Sequence, residues 1–128
     1  MSGADFNAAM IEYTGGARPR IVRIPNGLME PTLRMGDACA VIPVDHWCED
    51  SLYCLDWCGY PTIFRCQSWG NGTIKVWYDR WQDRPDTHHI LTHEQFFEAL
   101  LGVVFATIRV MNIGGLTPEQ KGALYDRR

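Results

Sequence analysis

The chain has 128 residues and a mass of 14.6 kDa, which suits one domain and leaves little room for a second. Apolar residues make up 46 % and charged residues 21 %, a balance that excludes an intrinsically disordered chain. Twelve basic against 15 acidic residues give a net charge of −3, the wrong sign for a chain built mainly to grip nucleic acid.

Residues 1–19 read as an N-terminal arm holding a short helix, Phe6 to Tyr13, and a Gly15-Gly16 break. A lone short helix cannot supply a helix-turn-helix unit. From Arg20 the pattern turns to strands. Arg20 to Ile24 alternates with period two and stops at Pro25. Pro31 to Asp37 reads as a turn region, and Ala38 to Val44 as an apolar strand with Pro43 at its end. Ser51 to Trp57 and Pro61 to Trp69 are two more strands. Gly70-Asn71-Gly72 is a hairpin signal, and Thr73 to Tyr78 is the returning strand. Arg80 to Thr87, with Pro85, reads as a loop. Thr92 is expected to cap a helix, with Gln95 three residues on completing a capping box. Phe96, Phe97, Leu100 and Leu101 follow at helical spacing, and Gly102 is expected to end the helix. Val103 to Met111 is the last strand. Residues 112–128 form a hinge at Gly114-Gly115 and a terminal helix opened by Thr117-Pro118. The expected fold is mainly β, with one or two short helices.

No apolar run approaches the ~20 residues of a membrane span. Asp5 and the lack of a basic cluster in the first ten residues argue against a secretory signal. A cytoplasmic protein is expected. The five cysteines, Cys39, Cys48, Cys54, Cys58 and Cys66, are odd in number and fit reduced thiols. Cys54 and Cys58 share a face of an extended segment but lie ~13 Å apart, too far for one metal. His88, His89 and His93 sit at a strand-to-helix junction and read as surface residues. No metal and no cofactor is expected.

The most informative stretch is Asn26-Gly27-Leu28-Met29-Glu30-Pro31-Thr32-Leu33-Arg34-Met35-Gly36-Asp37. It resembles the G-D-S-M-x-P-T-L-x-x-G-D signature of the self-cleaving repressor family, which includes LexA, the UmuD mutagenesis protein and lambdoid phage repressors. Met29, Pro31, Thr32, Leu33, Gly36 and Asp37 keep the signature's order without a gap. Ser51 to Leu55 resembles the family's G-x-Y-x-L strand, and Thr62 to Cys66 its T-V-K-R-L strand. Leu101 to Phe105, with Arg109 beyond, resembles its closing strand. The resemblance covers roughly residues 20–111. It implies a LexA-like curled sheet, a β-ribbon or pseudo-barrel, at residues 20–111 between the arm (1–19) and the C-terminal hinge and helix (112–128).

The family works with a serine nucleophile and a lysine base. A serine hydroxyl needs a neighbour to take its proton, and lysine serves only when burial leaves it neutral. Here the serine position is Leu28, and the lysine position is Phe64, or Arg65 if the alignment slips by one. Leucine has no heteroatom, phenylalanine accepts no proton, and arginine stays protonated. The resemblance therefore implies a pseudo-peptidase, with Leu28 and Phe64 filling one apolar cleft. Cys39 with His46, or Thr32 with some base, are the alternatives for a replacement nucleophile.

Self-association is the family's other use of this domain. The resemblance assigns a two-fold contact to the closing strand, through Val103, Phe105, Thr107 and Arg109. Five tryptophans, Trp47, Trp57, Trp69, Trp77 and Trp81, are many for this length. Trp77, Trp81 and Arg84 are the candidate partner-binding patch, since aromatics beside arginine are common in interfaces. The expected function is a catalytically inactive, dimerising regulatory domain in transcriptional control, of phage or prophage type. Its expected partners are itself and another regulator such as a repressor, with no direct DNA binding and no membrane. The alternatives are the oligomerising half of a repressor whose DNA-binding part is separate, and an active self-cleaving peptidase with non-standard residues.

Overall fold

The computed structural model describes residues 18–109. The predicted Phe6–Tyr13 helix, the 114–115 hinge and the terminal helix lie outside them. Among the described residues the strands are β1 (Arg20–Arg23), β2 (Ala38–Ile42), β3 (Ser51–Trp57), β4 (Tyr60–Gly70), β5 (Thr73–Trp77), β6 (His89–Thr92) and β7 (Leu100–Ile108). A two-turn helix, α1 (His93–Ala99), separates β6 from β7, and 3-10 turns occupy Asp79–Trp81 and Pro85–Thr87. The strands form one sheet in the order β1-β2-β7-β3-β4-β5-β6, with every neighbouring pair antiparallel. The fold is mainly β, as the sequence predicts. The sheet stays open, with β1 and β6 at its two ends, and does not close into a barrel. No helix among the described residues is long and apolar enough to cross a membrane.

The sheet buries apolar side chains on both faces. Successive residues of a strand point to opposite sides, so the facing pairs Cys54–Ile63 and Leu52–Arg65 share one face while Tyr53–Phe64 and Ser51–Cys66 share the other. On the first face Leu52, Cys54 and Ile63 pack with Ile24, Met29, Leu33, Cys39 and Val41. On the second, Tyr53, Leu55, Phe64 and Cys66 pack with Ile74, Val76 and Phe96. This is why Leu52 to Leu55 is apolar at four consecutive positions instead of alternating. Each large side chain so buried contributes about 1.5–3 kcal/mol.

Polar groups in the second core are satisfied locally. The Tyr53 hydroxyl donates to the Glu49 carbonyl at 2.7 Å and accepts from the Cys48 and Glu49 amides at 3.0 and 3.1 Å. Trp47 stacks on Tyr53 with ring centroids 4.9 Å apart, and Phe96 meets both rings edge-on. One tyrosine thereby pins the segment between β2 and β3 onto the sheet.

The hairpin predicted at residues 70–72 forms with Gly70, Asn71 and Gly72 all at positive φ, which glycine and asparagine tolerate best. The capping box also forms: the Gln95 amide donates to Thr92 Oγ1, and the Thr92 amide donates to Gln95 Oε1, both at 3.0 Å. One expectation needs correction, and one strand is added. The helix ends at Ala99, so Gly102 is not its cap but a residue of β7. A Cβ there would lie 2.4 Å from the Ile42 carbonyl oxygen, so the glycine permits the close approach of β7 to β2 beside a bulge at Ala40/Val41. The added strand is β6. Residues 89–92 pair with β5 from Val76–His89 to Thr73–Thr92, which places a strand at the strand-to-helix junction before α1.

Candidate functional site

The segment from Asn26 to Asp37 links β1 to β2 and closes on itself. The Ile24 amide donates to the Asp37 carbonyl at 2.8 Å, and the Gly36 amide to the Ile24 carbonyl at 2.9 Å. Inside the loop the Leu33 amide donates to the Met29 carbonyl at 2.9 Å, and the Leu28 amide to Asn26 Oδ1 at 3.1 Å. Met29 and Leu33 drop into the first core, which leaves Pro31 and Thr32 exposed on the loop's surface.

Two carboxylates tether this loop. Asp37 is buried and accepts from Arg109 Nε at 3.2 Å, Arg109 Nη2 at 3.0 Å and the Arg34 amide at 3.0 Å. The Arg109 hydrogen bonds hold its carboxyl below the usual aspartate range against an opposing push from burial. Asp79, also buried, begins the 3-10 turn after β5. It accepts from Arg65 Nε at 2.9 Å, Arg65 Nη2 at 2.6 Å and the Thr32 hydroxyl at 2.5 Å. The bidentate carboxylate holds the Arg65 guanidinium still more firmly protonated than usual. The Arg80 amide donates to the Leu28 carbonyl at 3.0 Å, so the same turn also clamps the loop's backbone.

Beside this bridge lies a cavity of about 310 Å³. Leu28 lines it with Met29, Ile24, Ile63 and Tyr78, and Tyr60 and Pro61 stand at the β4 side. Phe64 is not part of its wall. The expectation that Leu28 and Phe64 fill one cleft is therefore corrected. Phe64 is fully buried in the second core, stacked on Tyr78 at 4.6 Å and edge-on to Trp57 at 4.9 Å. The pleat of β4 decides this, since it turns Ile63 and Arg65 toward the loop and Phe64 away from it. Tyr78 sits between the two places, with one side on the cavity and the other on Phe64.

The candidate replacement pairs come out differently. Cys39 is buried in the first core, where burial pushes its thiol up to about 12, while His46 is exposed and paired with Asp45. Thr32 does meet a carboxylate, Asp79, but that carboxylate is already held by Arg65. Cys54 and Cys66 are also buried with thiols pushed up, Cys54 to about 11, whereas Cys48 and Cys58 are exposed. The three neighbouring histidines each meet a different ring: His88 stacks on Trp77, His89 lies tilted against Trp57, and His93 meets Phe97 edge-on.

Of the expected interface residues, Val103 packs into the second core, and Phe105 and Thr107 continue along β7 opposite β2. Arg109 is committed to Asp37. Trp77 and Trp81 are half-buried. The Trp81 carbonyl accepts from His88 Nε2 at 3.0 Å, and its ring meets Tyr78 edge-on. Arg84 is exposed. The more open tryptophan is Trp69, at 53 % exposure, with the Lys75 ammonium 4.2 Å above its ring. Sequence reasoning missed Asp79 and the Asp37–Arg109 pair. The signal for Asp79 was faint: one acid between Tyr78 and Trp81, in a stretch that otherwise reads as loop.

No protein-family model matches the chain, and no curated protein matches it at a significant level.

Proposed function

We propose that this chain is a catalytically inactive domain of the LexA and phage-repressor type, acting as a dimerising regulator of transcription through protein–protein contacts. The observation that carries this is the Thr32–Asp79–Arg65 bridge. It occupies the ground between the signature loop and β4, where the resemblance calls for a proton-transfer couple. A serine–lysine dyad needs a hydroxyl facing a neutral amine. Here Leu28 offers only carbon, and the cation on the facing strand is neutralised by a bidentate carboxylate. Arginine in such a pair takes no proton from a nucleophile. The bridge holds the loop in place without chemistry, which suits a domain kept for its surfaces.

The cavity beside Leu28 is the candidate contact for an apolar side chain of a partner protein, being concave, largely apolar and flanked by the exposed Tyr60. The test is incubation of the purified chain at alkaline pH, followed by intact-mass measurement. The mass is expected to stay at its full value, and a discrete N-terminal truncation refutes the proposal. In a gel shift the net charge of −3 leads to an expectation of no retardation of operator DNA.

A further inference from the structure

The proposed reading makes the chain a dimer, and β7, where the resemblance puts the contact, lies inside the sheet between β2 and β3. Resting on that reading, we propose that the two-fold contact is an edge-to-edge pairing of β6 with β6 of a second copy, continuing the sheet across the pair. Among the described residues β6 ends the sheet, bonded to β5 on one side. Edge strands are normally kept apart by charges, proline or a bulge. The four residues His89-Ile90-Leu91-Thr92 contain no lysine, arginine, aspartate, glutamate or proline, and their register with β5 runs unbroken.

Exposed apolar side chains gather at the same end. Five large apolar residues are exposed among the described ones, and three of them are here: Trp69 at 53 %, Ile90 at 50 % and Phe97 at 37 %. Ile90 faces Lys75 across the β5–β6 ladder, and Lys75 in turn reaches over Trp69, so the three share one face. Phe97 is on α1, which follows β6 directly.

Charge decides how two copies meet. Packing that face against its own image would oppose two Lys75 ammonium groups, whereas pairing the uncharged edges opposes none. A two-fold axis perpendicular to the sheet keeps every side chain on its own face and sets Ile90 against its symmetry mate. The Ile90 amide and carbonyl then gain partners, the Thr92 amide being already given to Gln95 Oε1, and the Leu91 side chain stays in the second core.

The test uses the full chain. Sedimentation velocity over a dilution series is expected to show a dimer. Ile90→Lys is expected to weaken dimerisation at least about 10-fold, with the far-ultraviolet circular dichroism and melting temperature unchanged. Thr107→Lys, exposed on β7 and separated from β6 by three strands, is expected to leave it unaltered. In a background with Cys48→Ser and Cys58→Ser, Ile90→Cys is expected to oxidise to a covalent dimer, because facing ladder positions lie ~4.5–5.5 Å apart, within disulfide reach. A monomeric wild type, or an Ile90→Lys variant that stays dimeric, overturns the proposal. Dissociation by Thr107→Lys alone moves the contact to β7 and overturns the β6 assignment, while the dimer itself survives. Self-cleavage at alkaline pH would remove the underlying reading by a separate route.

Discussion

Asp79→Ala is the perturbation that most directly weighs the bridge at the centre of the site. The Asp79 side chain is 5 % exposed and accepts three hydrogen bonds, two from Arg65 and one from Thr32. Removing one partner of a fully buried ion pair costs ~3–5 kcal/mol, most of it from stranding the other charge. Arg65 is 35 % exposed, so water recovers part of that loss. Discounting for that exposure gives a destabilisation of about 2–3 kcal/mol. Thr32→Val removes one bond only and is expected to cost about 1 kcal/mol. Arg65→Met combined with Asp79→Ala takes away both charges together. The pair should then cost less than the sum of the single variants, by a coupling of about 1–2 kcal/mol. Urea titration at pH 7, followed by tryptophan fluorescence and circular dichroism, measures wild type, the three single variants (Arg65→Met included) and the double variant. A loss below about 0.5 kcal/mol for Asp79→Ala, or additive single costs, refutes the claim that the bridge ties the loop to β4.

Leu28 and Phe64, the positions that the proposed reading aligns with a serine–lysine dyad, should respond unequally. Leu28→Ser, on a cavity wall, is expected to cost about 1 kcal/mol, half the worth of a fully buried leucine. Phe64→Lys places an unpaired charge between Trp57 and Tyr78 and is expected to unfold the chain or cost more than about 3 kcal/mol by urea titration. Equal tolerance of both would show that β4 is turned the other way. With a thiol reagent near pH 8, Cys48 and Cys58 are expected to react at once, and Cys39, Cys54 and Cys66 only on unfolding. Fast labelling of a third thiol in the native protein contradicts the assigned burial. Asp37 has a folded pKa below its ordinary value of 3.8, so its contribution is complete above about pH 4 and is lost as the pH falls through the lowered value. Acid titration of Arg109→Met against wild type is expected to show the gap in stability closing below pH 4. A gap that stays constant from pH 7 to pH 3 argues against the pair.

Local chemistry made much of the fold legible from the chain alone. Gly70-Asn71-Gly72 requires positive φ and so announces a hairpin. Thr92 with Gln95 satisfies two amides reciprocally and so announces a helix start. The order of Met29, Pro31, Thr32, Leu33, Gly36 and Asp37 singled out the loop that the site is built on. Each of these signals lies within a dozen residues, where backbone conformation and nearby hydrogen bonds decide the outcome. The site's partners lie beyond that range. Arg109 reaches Asp37 across 72 positions, and Thr32 reaches Asp79 across 47. β6 takes its place by pairing with β5. The orientation of β4 was likewise hidden, and with it the separation of Leu28 from Phe64. A strand that buries both faces is apolar at consecutive positions, so its sequence loses the alternation that would show which side chain points where. The chain therefore determined where it bends and which loop matters, and the packing of the sheet between two cores decided which side chains meet there.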